Sequence, residues 1–151
     1  MKNIFKWYGF VVFALVTQTS IAQQSRAAKP ALFSHFPSAI TCTEDQLNNL
    51  FSINQGQNIK LSLPGNLVLE GPVKSKINKY GKIETMIIQL PSFDNMLFSV
   101  SKSHDENNNP VYTAHLFNNK YADGYQLKRN EKNIYQFEKI EMEKMLPACN
   151  Q

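Results

Sequence analysis

From Asn58 onward the chain alternates between apolar and polar residues with a period of two. Ile59, Leu61 and Leu63 are separated by Lys60 and Ser62 ahead of the turn residues Pro64-Gly65-Asn66, and Leu67 and Leu69 resume the pattern. Alternation of this kind places one row of side chains on a covered face and the other in water, as in a half-buried β-strand. Val73, Ser75 and Ile77 follow after Gly71-Pro72, a pair poorly suited to a central, fully paired strand and therefore expected at a bulge or an edge. Asn78-Lys79-Tyr80-Gly81 reads as the next turn.

The segment Ile83 to Leu90 is a strong strand, with Met86, Ile88 and Leu90 on one face and Ile83, Thr85 and Ile87 on the other. After Pro91, Met96 to Ser101 aims Met96, Phe98 and Val100 one way. The polar run from Lys102 to Pro110 is a solvated loop, and Val111 to Phe117 is the antiparallel partner beyond it. A turn from Asn118 to Gly124 leads to a short strand at Tyr125 and Leu127, answered by Ile134 to Glu138 across a polar loop. The terminal IEMEKML run fits strand or helix, and its strong helix formers favour a short helix before Pro147.

Ahead of the strands, Thr43-Glu44-Asp45-Gln46 matches a capping box, and Leu47, Leu50 and Phe51 form an apolar stripe. A short helix is predicted from Glu44 to Ser52. The fold class is therefore α+β, mainly β: one antiparallel sheet of six or seven strands, with a short helix before it and a second after it. Long alternation implies one wet and one covered face.

The first residues change the picture. Lys2 and Lys6 precede the apolar run Phe10 to Val16, and Ser20 and Ala22 are small residues at the spacing of a cleavage site before Gln23. Positive end, short apolar core and small-residue site are the order of a secretory signal peptide. The apolar core is shorter than the roughly 20 residues a membrane-spanning helix requires. The expected organisation is a signal peptide over 1–22, a flexible leader over 23–40 anchored by Leu32, Phe33 and Phe36, and a single β domain over 41–151. No stable transmembrane segment is expected after cleavage, and the destination is the periplasm or the medium.

Removing Lys2 and Lys6 lowers the formal charge from +4 to +2, so the basic balance carries no nucleic-acid signal. Cys42 and Cys149 stand near the two ends of the mature region. An oxidising compartment lets such a pair persist as a disulfide, which is the expectation here.

Local signatures of catalysis are missing. The chain contains no G-x-S-x-G, H-E-x-x-H or C-x-x-C, and its histidines, His35, His104 and His115, each have an ordinary leader, loop or strand setting. Asp105, Asn107 and Asn109 imitate the first calcium-loop ligands, but Pro110 replaces the required glycine and Leu116 the required carboxylate, so no metal or cofactor is expected.

Two groups carry the candidate chemistry of binding. Lys74, Lys76, Lys79 and Lys82 fall on one hairpin, with Lys74 and Lys76 expected together on the face opposite Val73, Ser75 and Ile77. They suit an acidic partner or serve as edge protection. Tyr112, Tyr121 and Tyr125, with Asp123 beside the last two, form the second group. Tyrosine combines broad contact area with a hydroxyl handle and recurs at interfaces. The function these patterns imply is a non-catalytic secreted or periplasmic protein-binding domain, an envelope accessory or inhibitor, with an envelope or extracellular protein as partner. The alternatives are a small-molecule or lipid carrier, with a cavity lined by Met86, Ile88, Phe98 and Leu116, or a small hydrolase.

Overall fold

A computed structural model describes residues 28–145. The expected signal segment, the first residues of the leader and Cys149 lie outside the described residues.

Among the described residues, eight strands form one antiparallel sheet: β1 (Ala39–Cys42), β2 (Asn58–Leu63), β3 (Leu67–Lys79), β4 (Ile83–Leu90), β5 (Met96–His104), β6 (Pro110–Leu116), β7 (Asp123–Arg129) and β8 (Tyr135–Glu141). Strands β2 to β8 are a meander, and β1 adds to the outer side of β8, giving the order β1-β8-β7-β6-β5-β4-β3-β2. The sheet curls into a half-barrel whose two edge strands, β1 and β2, approach each other across the open side. Two small helices accompany it, α1 (Glu44–Leu50) and α2 (Met142–Met145).

The strand count exceeds the expected six or seven because β1, only four residues long, falls at the end of the expected leader. Too short to show periodicity, it is a strand because β8 supplies its ladder, Ile40 opposite Phe137 and Cys42 opposite Tyr135. Strand β8 also runs further than expected, to Glu141, and leaves one turn of helix at the end.

Alternation predicted the inward face well. Leu61, Leu69, Met86, Ile88, Phe98, Val100, Leu116 and Phe137 join one buried cluster. Curling eight strands leaves an interior about wide enough for side chains to fill. Gly71 marks the tightest approach inside β3, since a Cβ there would stand 1.9 Å from the Gln89 carbonyl oxygen. The edge or bulge expected at Gly71-Pro72 takes a related form: β3 pairs with β2 up to Pro72 and with β4 from Val73 onward.

Helix α1 starts where the capping box placed it. The Gln46 amide donates to Thr43 Oγ1 at 3.2 Å, and the Thr43 amide donates to Gln46 Oε1 at 3.0 Å. Its Leu47 and Leu50 are buried, and Gln46 Nε2 reaches the Ser62 carbonyl of edge strand β2 at 3.1 Å. The helix thus covers part of the free edge of β2.

The chain from Pro30 to Ser38 is strapped to the sheet. The buried Asp123 carboxylate accepts from the Leu32 and Phe33 amides at 2.7 and 2.9 Å, and Lys139 Nζ donates to the Phe33 and Phe36 carbonyls at 2.7 Å each. Phe33 is buried against Phe93 and Tyr125, with ring centroids 5.4 and 5.2 Å away.

Candidate functional site

The hairpin joining β3 to β4 is distinguished by what its end exposes. The ladder between β4 and β5 ends at Glu84, so the last hairpin pair, Lys79 with Ile83, and the turn lie past it, while β5 runs on beside them to His104. Tyr80 is 88% exposed, and Ile77 and Ile83 on the adjoining outer face are 54% and 43% exposed. Lys79 stands directly opposite Ile83, and Lys82 completes the turn. The last pair and turn of a hairpin bury little on their own, and these apolar groups remain uncovered.

The turn itself is closed by the Lys82 amide donating to the Lys79 carbonyl at 3.1 Å and the Gly81 amide donating to Asn78 Oδ1 at 3.0 Å. Tyr80 and Gly81 both have positive φ, 57° and 67°. Such a turn suits Asn-Gly, so an aromatic at its first central position is held in a conformation that disfavours it. Strain of this sort gathers at sites where a side chain must be presented.

The four hairpin lysines do not act together. A register shift between Val73 and Ser75 makes Lys74 an extra residue in the ladder and reverses the facing of the residues after it. Lys74, Lys79 and Lys82 are exposed, but Lys76 shares the inward face with Met86, its cross-strand neighbour. The expected common face for Lys74 and Lys76 is therefore replaced by opposite ones. Lys76 Nζ donates to the Phe51 carbonyl at 2.6 Å and the Ile53 carbonyl at 3.3 Å, and pairs with Glu84 at 3.1 Å. It ties the end of α1 to the sheet. Among the described residues, no carboxylate pairs with Lys74, Lys79 or Lys82.

The tyrosine group is dispersed through the interior and its margin. Tyr112 is buried, gives its hydroxyl to Asn48 Oδ1 at 3.2 Å, and packs edge-on against Tyr135, so burial raises its pKa. Lys102 reaches the same Asn48 oxygen at 2.7 Å, which makes this corner a second tie for α1. Tyr125 is fully buried, donates to the Pro37 carbonyl, and has its phenol pushed up to about 12 by burial. Asp123 is occupied by the strap. Tyr121 lies at the margin and donates to Asp94 Oδ2 at 3.1 Å, beside Lys120 at 3.2 Å, and these two contacts lower the Asp94 pKa. Of this group, Tyr121 alone is placed to meet a partner.

Cys42 is buried and its thiol is pushed up to about 12 by burial. Its expected partner Cys149 lies outside the described residues. His35 and His104 are exposed, and His115 stands on the outer face with its ring edge-on to Phe117 and its buried Nδ1 without a hydrogen-bond partner. Asp105 closes its loop by accepting from the Asn107 and Asn109 amides at 2.9 and 2.8 Å. Met86, Ile88, Phe98 and Leu116 are all fully buried in the core. One cleft of about 490 Å³ lies at the surface between Asn58, Gly71, Pro72 and Pro91, away from those four side chains.

Comparison with protein-family models, with curated proteins and with solved structures finds no match to this chain.

Proposed function

We propose that this protein is an exported, non-catalytic docking domain that attaches by the end of its β3–β4 hairpin to an acidic surface outside the cytoplasm. The observation carrying this reading is the joint exposure of Tyr80, Ile77 and Ile83 beside Lys79 and Lys82, which pair with no carboxylate among the described residues. An exposed aromatic and two branched aliphatics supply burial energy, while the lysines supply attraction to negative charge and hasten encounter. The rest of the molecule supports the hairpin as a rigid base: the interior is filled, and Lys76, Lys102 and Tyr112 secure α1 over it. Rigidity lowers the ordering cost of docking.

Export rests on the residues from Met1 to Ala22 and their resemblance in pattern to a secretory signal. The test is retention of the protein on the particulate envelope fraction of its host, compared with Lys79→Glu/Lys82→Glu. Loss of retention at an unchanged melting temperature is the expected outcome. Equal retention of the two proteins would dispose of the hairpin as the docking element.

A further inference from the structure

Resting on that reading of the hairpin, we infer that the acidic surface is an anionic lipid bilayer, entered by Tyr80 with Ile77 and Ile83 while Lys79 and Lys82 stay at the phosphates. Three features of the hairpin favour lipid over protein. The first is shape: Ile77 and Ile83 lie on the outer face of the curled sheet with Tyr80 at the adjoining turn, rather than inside the curl. A soft surface conforms to such a face.

The second is the kind of cation. Every basic residue of the hairpin is lysine; the only arginines in the chain are Arg26 and Arg129. Protein hot spots favour arginine, whose planar fork reads a fixed acceptor geometry, whereas lysine is a flexible point charge indifferent to acceptor arrangement. Lysine stems also lie along apolar surface with the ammonium lifted into water, as they do at a headgroup layer.

The third is the aromatic. Tyrosine, with an apolar ring and a polar tip, concentrates at membrane–water interfaces. Here it occupies a turn position that disfavours it, at φ 57°, and 88% of it faces solvent. Glu84, the one carboxylate of the hairpin's β4 arm, is turned to the inner face and engaged by Lys76; the exposed acidic side chains at this end of the sheet, Asp105 and Glu106, belong to the neighbouring β5–β6 loop. Lys74, exposed further back along β3, lies nearer the diffuse field of the bilayer than its phosphates.

The experiment is co-sedimentation of the full chain with phosphatidylcholine vesicles that contain phosphatidylglycerol, with pure phosphatidylcholine vesicles, and, in a separate arm, retention on a polyglutamate resin. Lys79→Gln/Lys82→Gln and Tyr80→Asn are compared with the parent. All carry the same N-terminal segment, so differences among them report the hairpin. Binding that requires phosphatidylglycerol, weakens about fivefold for each lysine removed, and weakens again in Tyr80→Asn at unchanged charge is expected. Vesicle binding indifferent to these substitutions, or absent while polyglutamate retention persists and needs the lysines, would overturn the lipid assignment and leave the docking reading standing. Loss of both arms would overturn the two together.

Discussion

Replacing Tyr80 with asparagine should make the protein more stable while impairing what it does. The tyrosine adopts φ 57° at the first of two consecutive positive-φ positions, and only the second, Gly81, is a glycine. A left-handed backbone costs an ordinary L-residue about 1–2 kcal/mol, whereas asparagine tolerates it by local hydrogen bonding. Because 88% of the side chain is exposed, its removal forfeits little packing. The net gain expected is about 1 kcal/mol, or roughly 4 °C in melting temperature for a domain of this size. Urea and thermal melts of the two proteins provide the measurement, with retention on the envelope fraction read in parallel. A lower melting temperature in Tyr80→Asn would show instead that the ring is held by contacts that stabilise the fold.

Asp123→Ala leaves the Leu32 and Phe33 amides without their acceptor and should cost about 4 kcal/mol; a change in urea midpoint corresponding to less than about 1 kcal/mol would refute the strap as described. Lys76→Met should cost about 2–3 kcal/mol, because the half-buried Glu84 loses its partner and two carbonyls lose a donor. It should leave envelope retention intact, in contrast to Lys79→Glu/Lys82→Glu, and equal loss of retention would contradict the inward placement of Lys76. In the reduced protein, Cys42 rises from 9.0 to about 12 and Tyr125 from 10.0 to about 12, both through burial. The unfolded chain then releases these protons first, so stability is full below about pH 9 and declines as pH rises toward 12. Denaturant melts from pH 8 to 11 should show the decline, with Cys42→Ala delaying its onset until near pH 10; a flat profile would contradict the burial of both groups.

The inward face of the sheet was legible in the sequence because side-chain period and burial are coupled directly in a strand, as Met86, Ile88 and Leu90 demonstrate. The capping box at Thr43 and Gln46 was legible for a similar reason, since both partners lie within one helical turn. The features that escaped are non-local. Strand β1 exists through its ladder with β8, nearly a hundred residues away in sequence, and the bulge that turns Lys76 inward depends on the register with β4. One displaced residue sends every following side chain to the other face, which is why four lysines close together in sequence divide between exposed positions and the structural position of Lys76. Asp123 and Tyr125 resemble ligand residues for an equally distant reason: the groups they bind belong to the strap from Leu32 to Pro37. Tyr80 does carry a local signal, an aromatic in a turn where asparagine is favoured, but its exposure and its positive φ emerge only once the turn is built.

Docking as proposed requires the hairpin end to be the face that meets a partner, and hydrogen exchange reads that face directly. Amides from Ile77 to Ile83 are compared in the free protein and in protein held on the envelope fraction. Slowed exchange confined to this segment, with the turn from Tyr121 to Tyr125 unchanged, is the predicted result. Unchanged exchange in the hairpin together with new protection elsewhere on the sheet would contradict it.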